Sequence, residues 1–205
     1  MTTIMPMGDS ITKGVTPGGY RGDFYSDMAS AGLDVQMVGD QNSNPGGSLP
    51  DDQTAHEGID SITTAGMDDY VNATQLIANI GPDAVLLLIG TNDLGLGQVD
   101  PQGEVDRLSS LIDDIHGQSL GTTVFVANLL ARADTPPGGY IDQTNSLIPD
   151  MVGSKGGNTV FVNMHDALTT DNLADGLHPD AGGNAIMGGV WGGAVANWIW
   201  NQPQS

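Results

Sequence analysis

The feature that most constrains the fold is a continuous apolar run, AVLLLI, at Ala84–Ile89. A strand with one face in water alternates apolar and polar residues, whereas a strand that is covered on both faces is apolar throughout. The run ends at once in the polar turn Gly90–Asp93. We therefore predict a central strand of a parallel sheet that has helices on both faces.

Short apolar runs alternate with longer amphipathic stretches over the rest of the chain. Four further strands are predicted at Thr3–Met7, Val35–Val38, Thr122–Ala127 and Thr159–Asn163. Helices are predicted at Tyr20–Ala31, Ile59–Ile80, Pro101–Gln118, Tyr140–Val152 and Ala181–Trp200, with residues 41–54 as a long surface loop. Gly66 is the weakest point of the second helix. This alternation predicts one α/β domain in which a five-stranded parallel sheet lies between helix layers.

The charge balance narrows the choice of partners. Only 5 Lys and Arg face 25 Asp and Glu, which gives a formal net charge of −20. Such a surface repels nucleic acid and anionic membranes, so we expect neither as a partner. No apolar run reaches the ~20 residues that cross a bilayer, and Met1–Met7 is interpreted as a strand and not as a signal peptide. The chain has no cysteine, which excludes disulfides and thiol catalysis.

Acidic pairs at residues 51–52 and 68–69 are best explained as solvated surface. No contiguous loop has the spacing of an EF-hand. A structural calcium ion in these loops stays open as an alternative, and the sequence does not identify a metal.

Polar residues that carry chemistry follow the predicted strands. Ser10 comes directly after the first strand, and alone it would be interpreted as a turn or cap residue. His178 lies near the C-terminus in DGLHP, three residues after Asp175. On a short turn the Asp175 carboxylate can reach Nδ1 of His178 while Nε2 faces the Ser10 hydroxyl. The combination predicts a serine nucleophile with a histidine base and an aspartate that orients this base.

Asn92 follows the apolar central run, where its side-chain amide could donate to a developing oxyanion. A plain strand-end turn is the alternative explanation. The other histidines have no comparable setting, and they are His56, His116 and His165. We interpret His116 as a helix-end residue and His165 as structural.

Three blocks resemble the SGNH (GDSL-type) hydrolase superfamily: IMPMGDSIT at Ile4–Thr12, IGTND at Ile89–Asp93 and DGLHP at Asp175–Pro179. The match spans nearly the whole chain. Within the superfamily the chain is most similar to carbohydrate esterase family 3, the acetylxylan and acetyl esterases. The segments that carry this similarity are GGYR at Gly18–Arg21, VGD at Val38–Asp40, HEG at His56–Gly58 and LADGLHPDAGG at Leu173–Gly183. The resemblance implies a flavodoxin-like three-layer α/β/α sandwich and a single SGNH hydrolase catalytic domain over residues 1–205.

The resemblance also implies an activity, a serine esterase that removes acetyl groups from acetylated carbohydrate such as xylan or its oligomers. Ser10 is the expected nucleophile, His178 its base and Asp175 the support of this base. These steps require no cofactor. We expect a monomeric, extracellular (secreted) enzyme with an acetylated oligo- or polysaccharide as substrate.

An oxyanion hole with three donors is part of the same resemblance. The donors map to the backbone N–H of Ser10, the N–H of Gly58 and the side chain of Asn92. The family often has GHSGW near this point, whereas this chain has HEGI at residues 56–59. Gly39 is therefore the alternative to Gly58.

Two other functions stay open. A short-chain lipase or thioesterase of the same superfamily is the alternative among enzymes, although the chain has no lid-like apolar segment. A non-catalytic carbohydrate-binding domain is the alternative outside them. Tyr20, Tyr140 and Trp191 could stack on sugar rings, but Trp191, Trp198 and Trp200 better fit the packing of a terminal helix.

Overall fold

The computed structural model describes residues 1–15, 19–95 and 99–202. Its strands are β1 (Thr2–Gly8), β2 (Val35–Met37), β3 (Glu57–Gly58), β4 (Ala84–Leu88), β5 (Thr123–Ala127) and β6 (Thr159–Val162). Its helices are α1 (Ser10–Lys13), α2 (Tyr20–Ser30), α3 (Thr64–Thr74), α4 (Leu76–Ile80), α5 (Thr91–Gly95), α6 (Pro101–Gln118), α7 (Tyr140–Ser154) and α8 (Ala181–Trp200). Short 3-10 turns lie at Asp51–Gln53, His165–Ala167 and Thr170–Asn172. Gly18, the first residue of the GGYR segment, lies outside the described residues.

The strands of the described sheet pair in parallel in the order β2-β1-β4-β5-β6. The predicted five-stranded parallel sheet is confirmed, with one addition that the sequence did not indicate. The short strand β3 pairs with Met7 and Gly8 at the carboxyl end of β1, whereas β2 pairs with the amino-terminal half of β1. Strands β2 and β3 thus share one side of β1, and β3 extends that side to the edge where the polar turns begin.

Helices cover both faces of the sheet, as the AVLLLI run predicts. Leu86 and Phe125 belong to the core that α2 and α8 cover, whereas Leu87 and Val126 belong to the core under α3, α6 and α7. Every residue of β4 is buried. The three-layer α/β/α sandwich is therefore confirmed. Within the described part of the chain, no helix combines the length and apolarity needed to cross a membrane.

The packing of α8 on α2 buries two aromatic residues. A Cβ built on Gly188 would lie 2.7 Å from the backbone nitrogen of Phe24, so glycine permits the close approach of the two helices. Trp191 is fully buried, and its ring centroid lies 6.3 Å from that of the equally buried Tyr20. The suggestion that Tyr20 and Trp191 stack on sugars is therefore wrong. Trp200 is exposed, so the interpretation of this residue as a packing residue is also wrong.

The predicted helix Ile59–Ile80 is wrong at its start and misses a break. The side chain of Thr63 accepts a hydrogen bond from the N–H of Gly66, so α3 begins at Thr64. Gly66 lies in the first turn and interrupts nothing. The break falls instead at Gln75, whose left-handed backbone (φ 51°) separates α3 from α4.

The register of β1 and β4 places two polar turns at one edge. Gly8 lies opposite Leu88 at the carboxyl ends of these neighbouring strands. Both strands continue directly into short helices, α1 and α5, which the sequence did not indicate. Ser10 in α1 and Asn92 in α5 are therefore carried to the same edge of the sheet.

Candidate active site

Ser10 lies where β1 ends in a tight turn. A Cβ on Gly8 would lie 2.1 Å from the carbonyl oxygen of Leu88, so only glycine lets β1 pass β4 here. Asp9 then caps α1, because its Oδ1 accepts a hydrogen bond from the N–H of Ile11 at 2.9 Å. Ser10 opens this helix, and among the described residues its own N–H finds no acceptor.

Three side chains form a continuous hydrogen-bonded chain at this edge. Ser10 Oγ lies 2.9 Å from His178 Nε2, across 168 residues of sequence. His178 Nδ1 lies 2.8 Å from Oδ2 of Asp175. A carboxylate only accepts hydrogen bonds, so Nδ1 carries the proton and Nε2 presents a lone pair to the Ser10 hydroxyl. The sequence singled out these three residues, and the structure brings them together in that order.

The loop that carries Asp175 and His178 is closed on itself. Oδ1 of Asp175 accepts the backbone N–H of His178 at 2.7 Å and that of Leu177 at 3.0 Å. The backbone N–H of His178 is the main cause that lowers the pKa of Asp175 to about 2. The ring N–H of His178 and the backbone N–H of Leu177 act in the same direction. The N–H of Ala174 also donates to the His178 carbonyl at 2.8 Å. Asp175 is therefore ionised at neutral pH.

Asn92 lies in α5, and one of the two N–H groups of its side-chain amide is hydrogen-bonded. Its Nδ2 donates to the carbonyl of Ile62 at 2.9 Å, which leaves the second N–H of the amide for another acceptor. The neighbouring Asp93 accepts the N–H of Thr64 and the guanidinium of Arg107, both at 2.9 Å. The turn after β4 is thus anchored from two helices, and this fixes the direction of the Asn92 side chain.

A buried acid, Glu104, supports the same turn from below. Its Oε1 accepts the Thr64 hydroxyl at 2.5 Å. A Cβ on Gly90 would lie 2.4 Å from this oxygen, so the turn passes directly over the carboxyl group. Burial raises the pKa of Glu104 to about 8, with the nearby Asp93 charge acting in the same direction. At neutral pH Glu104 is therefore a neutral carboxylic acid.

Asp9 is a second buried acid, next to the nucleophile position. Burial raises the pKa of Asp9 to about 6, against the effect of the Ile11 N–H and of the nearby His178. Its Oδ2 has no hydrogen-bond partner among the described residues. Above about pH 6 Asp9 is therefore ionised, and its negative charge lies near the His178 side chain.

Gly58 does not match its predicted role as an oxyanion donor. Its N–H already donates to Nδ1 of His56 at 2.9 Å. Burial first, and then the nearby Arg21 charge, lower the pKa of His56 to about 3, so this ring stays neutral and able to accept. Glycine is needed at residue 58 for another reason, because a Cβ there would lie 2.3 Å from the backbone nitrogen of Lys13.

Gly39, the alternative to Gly58, lies too low on the sheet. The N–H of Val38, one residue earlier, donates to the carbonyl of Ile4. Ile4 is six residues before Ser10 in a strand that rises about 3.3 Å per residue. Gly39 therefore belongs to the level of mid-β1, below the edge that carries the site.

Ser61 has the features expected of the missing donor, and the sequence prediction overlooked it. Its backbone is left-handed (φ 59°), which is strained for a residue with a Cβ. The segment is held beside Ser10 by the bond from the Ile59 N–H to the Gly8 carbonyl at 3.0 Å, and beside Asn92 by the Ile62 carbonyl. Within the described ranges the Ser61 N–H has no acceptor. The departure from the GHSGW motif at residues 56–59 marked this neighbourhood in the sequence but not the residue itself.

Arg21 of the GGYR segment ties α1 to the long loop. The guanidinium is buried and donates to the carbonyls of Thr12 and Lys13 at 3.0 Å and to those of Ser43 and Thr54 at 2.7 and 3.0 Å. Burial lowers the pKa of Arg21 to about 10, so it remains charged at neutral pH. This cation holds the end of α1, and with it the loop that leads to β3.

The remaining candidate residues lie apart from this chain of contacts. His116 lies in the last turn of α6, and His165 Nδ1 meets the carbonyl of Leu129 at 2.8 Å after β5. In residues 1–15, 19–95 and 99–202, no group of three or more His, Asp or Glu side chains is arranged to hold a metal ion.

Comparison with known families gives one match over most of the chain. The GDSL-like Lipase/Acylhydrolase family matches residues 7–186. A multidomain esterase from Ruminococcus flavefaciens is 29% identical over 214 residues, which cover 92% of this chain. The chain spans 28% of the length of that relative.

Solved structures with the same fold include carbohydrate esterases. A family 3 carbohydrate esterase from Clostridium thermocellum is 32% identical, with a TM-score of 0.83 and 97% of each chain covered. A carbohydrate esterase family 3 structure from Talaromyces cellulolyticus is 23% identical, with a TM-score of 0.84, and covers 99% of this chain and 100% of the other.

The neutral state of Glu104 predicts a pH-dependent stability. Its pKa rises from an ordinary value of 4.5 to about 8 on folding, so the folded protein keeps a proton that the unfolded chain has released. This contribution is complete below about pH 4.5 and is lost as the pH rises through about 8. In Glu104→Gln the side chain is always neutral, so the free energy of unfolding in denaturant should fall less between about pH 5 and 9 than in the wild type. Asp106→Asn, an exposed change on the same helix, should follow the wild type, and a Glu104→Gln curve parallel to it would contradict the assignment.

The strained backbone at Ser61 predicts a stabilising substitution. Ser61→Gly should raise the free energy of unfolding by about 1 kcal/mol, because glycine adopts the left-handed conformation without the Cβ penalty. Ser146→Gly is the matched control in the exposed interior of α7, and it should lower stability by roughly 0.5 kcal/mol. Equal losses for both variants in denaturant melts would show that Ser61 is not strained.

Proposed function

Because the chain belongs to the GDSL-like Lipase/Acylhydrolase family and is a carboxylic ester hydrolase close to carbohydrate esterase family 3, we propose that it removes acetyl groups from acetylated carbohydrate. The family expected from the three sequence blocks is thereby confirmed. The proposed mechanism rests on the hydrogen-bonded chain Ser10–His178–Asp175. In it, Ser10 Oγ lies 2.9 Å from His178 Nε2, and His178 Nδ1 lies 2.8 Å from Asp175 Oδ2.

The proposed reaction is a two-step acyl transfer. Nε2 of His178 takes the hydroxyl proton as Ser10 Oγ attacks the acetyl carbonyl. The ionised Asp175 stabilises the imidazolium that forms. His178 then gives the proton to the sugar oxygen, which leaves as a hydroxyl. Water, deprotonated by the same histidine, releases acetate from Ser10 in the second step.

The negative oxygen of the tetrahedral intermediate needs donors that are already in place. We assign this role to the N–H of Ser10, the second N–H of the Asn92 amide and the N–H of Ser61, in place of Gly58. These groups have no competing acceptor among the described residues, so no internal hydrogen bond must break when the oxyanion forms. Fixed donors of this kind each contribute roughly 10²–10³ in rate.

The substrate assignment rests on similarity and charge. Two of the most similar structures are carbohydrate esterases of family 3. The net charge of −20 disfavours anionic polymers such as pectin and suits a neutral glycan in an acidic or saline medium. The proposal is therefore a monomeric, extracellular enzyme that deacetylates a neutral polymer such as xylan or its oligomers.

Ser10→Ala tests the nucleophile. Hydrolysis of p-nitrophenyl acetate should fall by roughly 10⁴-fold or more, because the acyl-enzyme can no longer form. Ser146→Ala, an exposed serine on α7, is the matched control and should keep wild-type turnover. Retained turnover in Ser10→Ala, with a folded protein by circular dichroism, would refute the assignment.

A panel of esters tests the substrate class. The sequence contains no lid-like apolar segment suited to a long acyl chain, so p-nitrophenyl acetate should react faster than the octanoate. Acetate release should be faster from acetylated xylan than from acetylated pectin or chitooligomers. Preference for the octanoate would favour the lipase or thioesterase alternative, and preference for pectin would reject the charge argument.

A further inference from the structure

A large cavity lies at the same edge of the sheet as Ser10 but is lined by other residues. Its volume is about 750 Å³. The walls come from the loop after β5, from the start of α7 and from the segment after β6, and they include Arg132, Asp134, Asp142, His165 and Thr170. The mechanism proposed above uses none of these side chains.

The cavity shares a wall with the proposed active site. The N–H of Ala133 donates to the carbonyl of Gly176 at 2.9 Å, and Gly176 lies between Asp175 and His178. Arg132 Nη1 donates to the carbonyl of Thr91 at 2.9 Å, one residue before Asn92. The wall of the cavity therefore contacts both the loop that carries His178 and the turn that carries Asn92.

Two polar side chains face each other in the cavity. His165 Nδ1 lies 2.8 Å from the carbonyl of Leu129, so Nδ1 donates there and Nε2 is left to face Asp142. Oδ2 of Asp142 accepts the N–H of Gly138 at 2.6 Å, whereas Oδ1 lies 3.4 Å from His165 Nε2, longer than the distance of a charge-assisted hydrogen bond. A sugar hydroxyl both donates and accepts hydrogen bonds, so it can pair with Oδ1 of Asp142 and with Nε2 of His165.

The charges of the cavity disfavour an anionic ligand. The guanidinium of Arg132 is paired with Asp134 through two contacts of 2.8 and 2.9 Å, so its positive charge is already neutralised. Among the described residues, no Lys or Arg side chain pairs with the carboxylate of Asp142, which has only His165 as a basic partner, at 3.4 Å. The apolar part of the wall comes from Pro136 and Leu168, which suits the C–H faces of a sugar.

An exposed aromatic residue adjoins the cavity. Tyr140 is 59% exposed and directly precedes Ile141 and Asp142 of the cavity wall. Of the three aromatic residues that the sequence suggested for sugar stacking, Tyr140 is exposed, whereas Tyr20 and Trp191 are buried.

We propose that this cavity binds neutral sugar residues of the carbohydrate that carries the acetyl ester, with Asp142 and His165 forming hydrogen bonds with sugar hydroxyls. The cavity thus selects the glycan on the leaving-group side, and Ser10 acts on the ester. This inference rests on the proposed function, because it concerns the substrate of the same site.

The experiment compares two substrates that differ in the sugar. Kinetics are measured with an acetylated xylo-oligosaccharide and with p-nitrophenyl acetate, which has no sugar to place in the cavity. In Asp142→Asn the ratio of kcat/KM for the oligosaccharide to that for the aryl ester should fall about tenfold, mainly through KM, because a hydrogen bond to a charged acceptor is weakened. Asp150→Asn, an exposed change on the same helix, should leave this ratio as in the wild type.

Thr170→Arg is the second variant, because it fills the cavity from its exposed rim without altering Asp142. It should lower the same ratio even if Asp142→Asn proves unstable. An unchanged ratio in Thr170→Arg and in a folded Asp142→Asn would overturn the role of the cavity alone. Wild-type protein that cleaves the aryl ester but releases no acetate from the oligosaccharide would instead overturn the carbohydrate assignment, and the cavity proposal with it.

Discussion

The hydrogen bond between Ser10 Oγ and His178 Nε2 joins the two ends of the chain, and the proposed chemistry depends on it. Two packing arrangements make this contact. The register of β1 against β4 fixes Ser10 at the carboxyl edge of the sheet. The packing of α8 on α2, where Gly188 lets the helices meet, fixes the loop that precedes α8 and carries His178. A change in either packing would move one partner relative to the other by more than a hydrogen bond tolerates.

Several ionisable side chains are buried near this contact, among them Asp9, Arg21 and Glu104. Arg21 donates to four backbone carbonyls, and Glu104 is kept neutral by burial. Buried groups of this kind contribute little net stability, because their desolvation offsets the hydrogen bonds they make. Here they fix the directions of polar turns that apolar packing cannot orient. In the cavity beside the site, polar groups are likewise held in place by internal hydrogen bonds, as His165 is by the carbonyl of Leu129.

The sequence predicted the sheet and most helices because burial and capping are local signals. AVLLLI marks a strand that is covered on both faces, and Asp100 followed by Pro101 sets the start of α6. The left-handed break at Gln75 and the strand β3 have no such signal, because tertiary pairing produces them. The sequence also indicated which side chains would meet at Ser10.

The donors of the oxyanion hole could be predicted from the sequence only in part. Gly58 looked suitable because it closes the long loop and precedes a predicted helix, but in the structure its N–H donates to His56, and glycine is required there for the approach of Lys13. Ser61 could not be predicted from the sequence, because a serine does not indicate a left-handed backbone as a glycine does. Which N–H lacks an acceptor depends on contacts between distant segments, and the motif only marks the neighbourhood.

Covalent labelling shows whether Ser10 is a nucleophile activated by His178. A fluorophosphonate reacts with a serine whose hydroxyl is activated by a neighbouring base, and mass spectrometry of the digested protein locates the adduct. One adduct per chain is expected, on the peptide that contains Ser10, and it should be lost when His178 is replaced by alanine. An adduct on another serine, or labelling of Ser10 that is unchanged without His178, would contradict the pairing of these two residues.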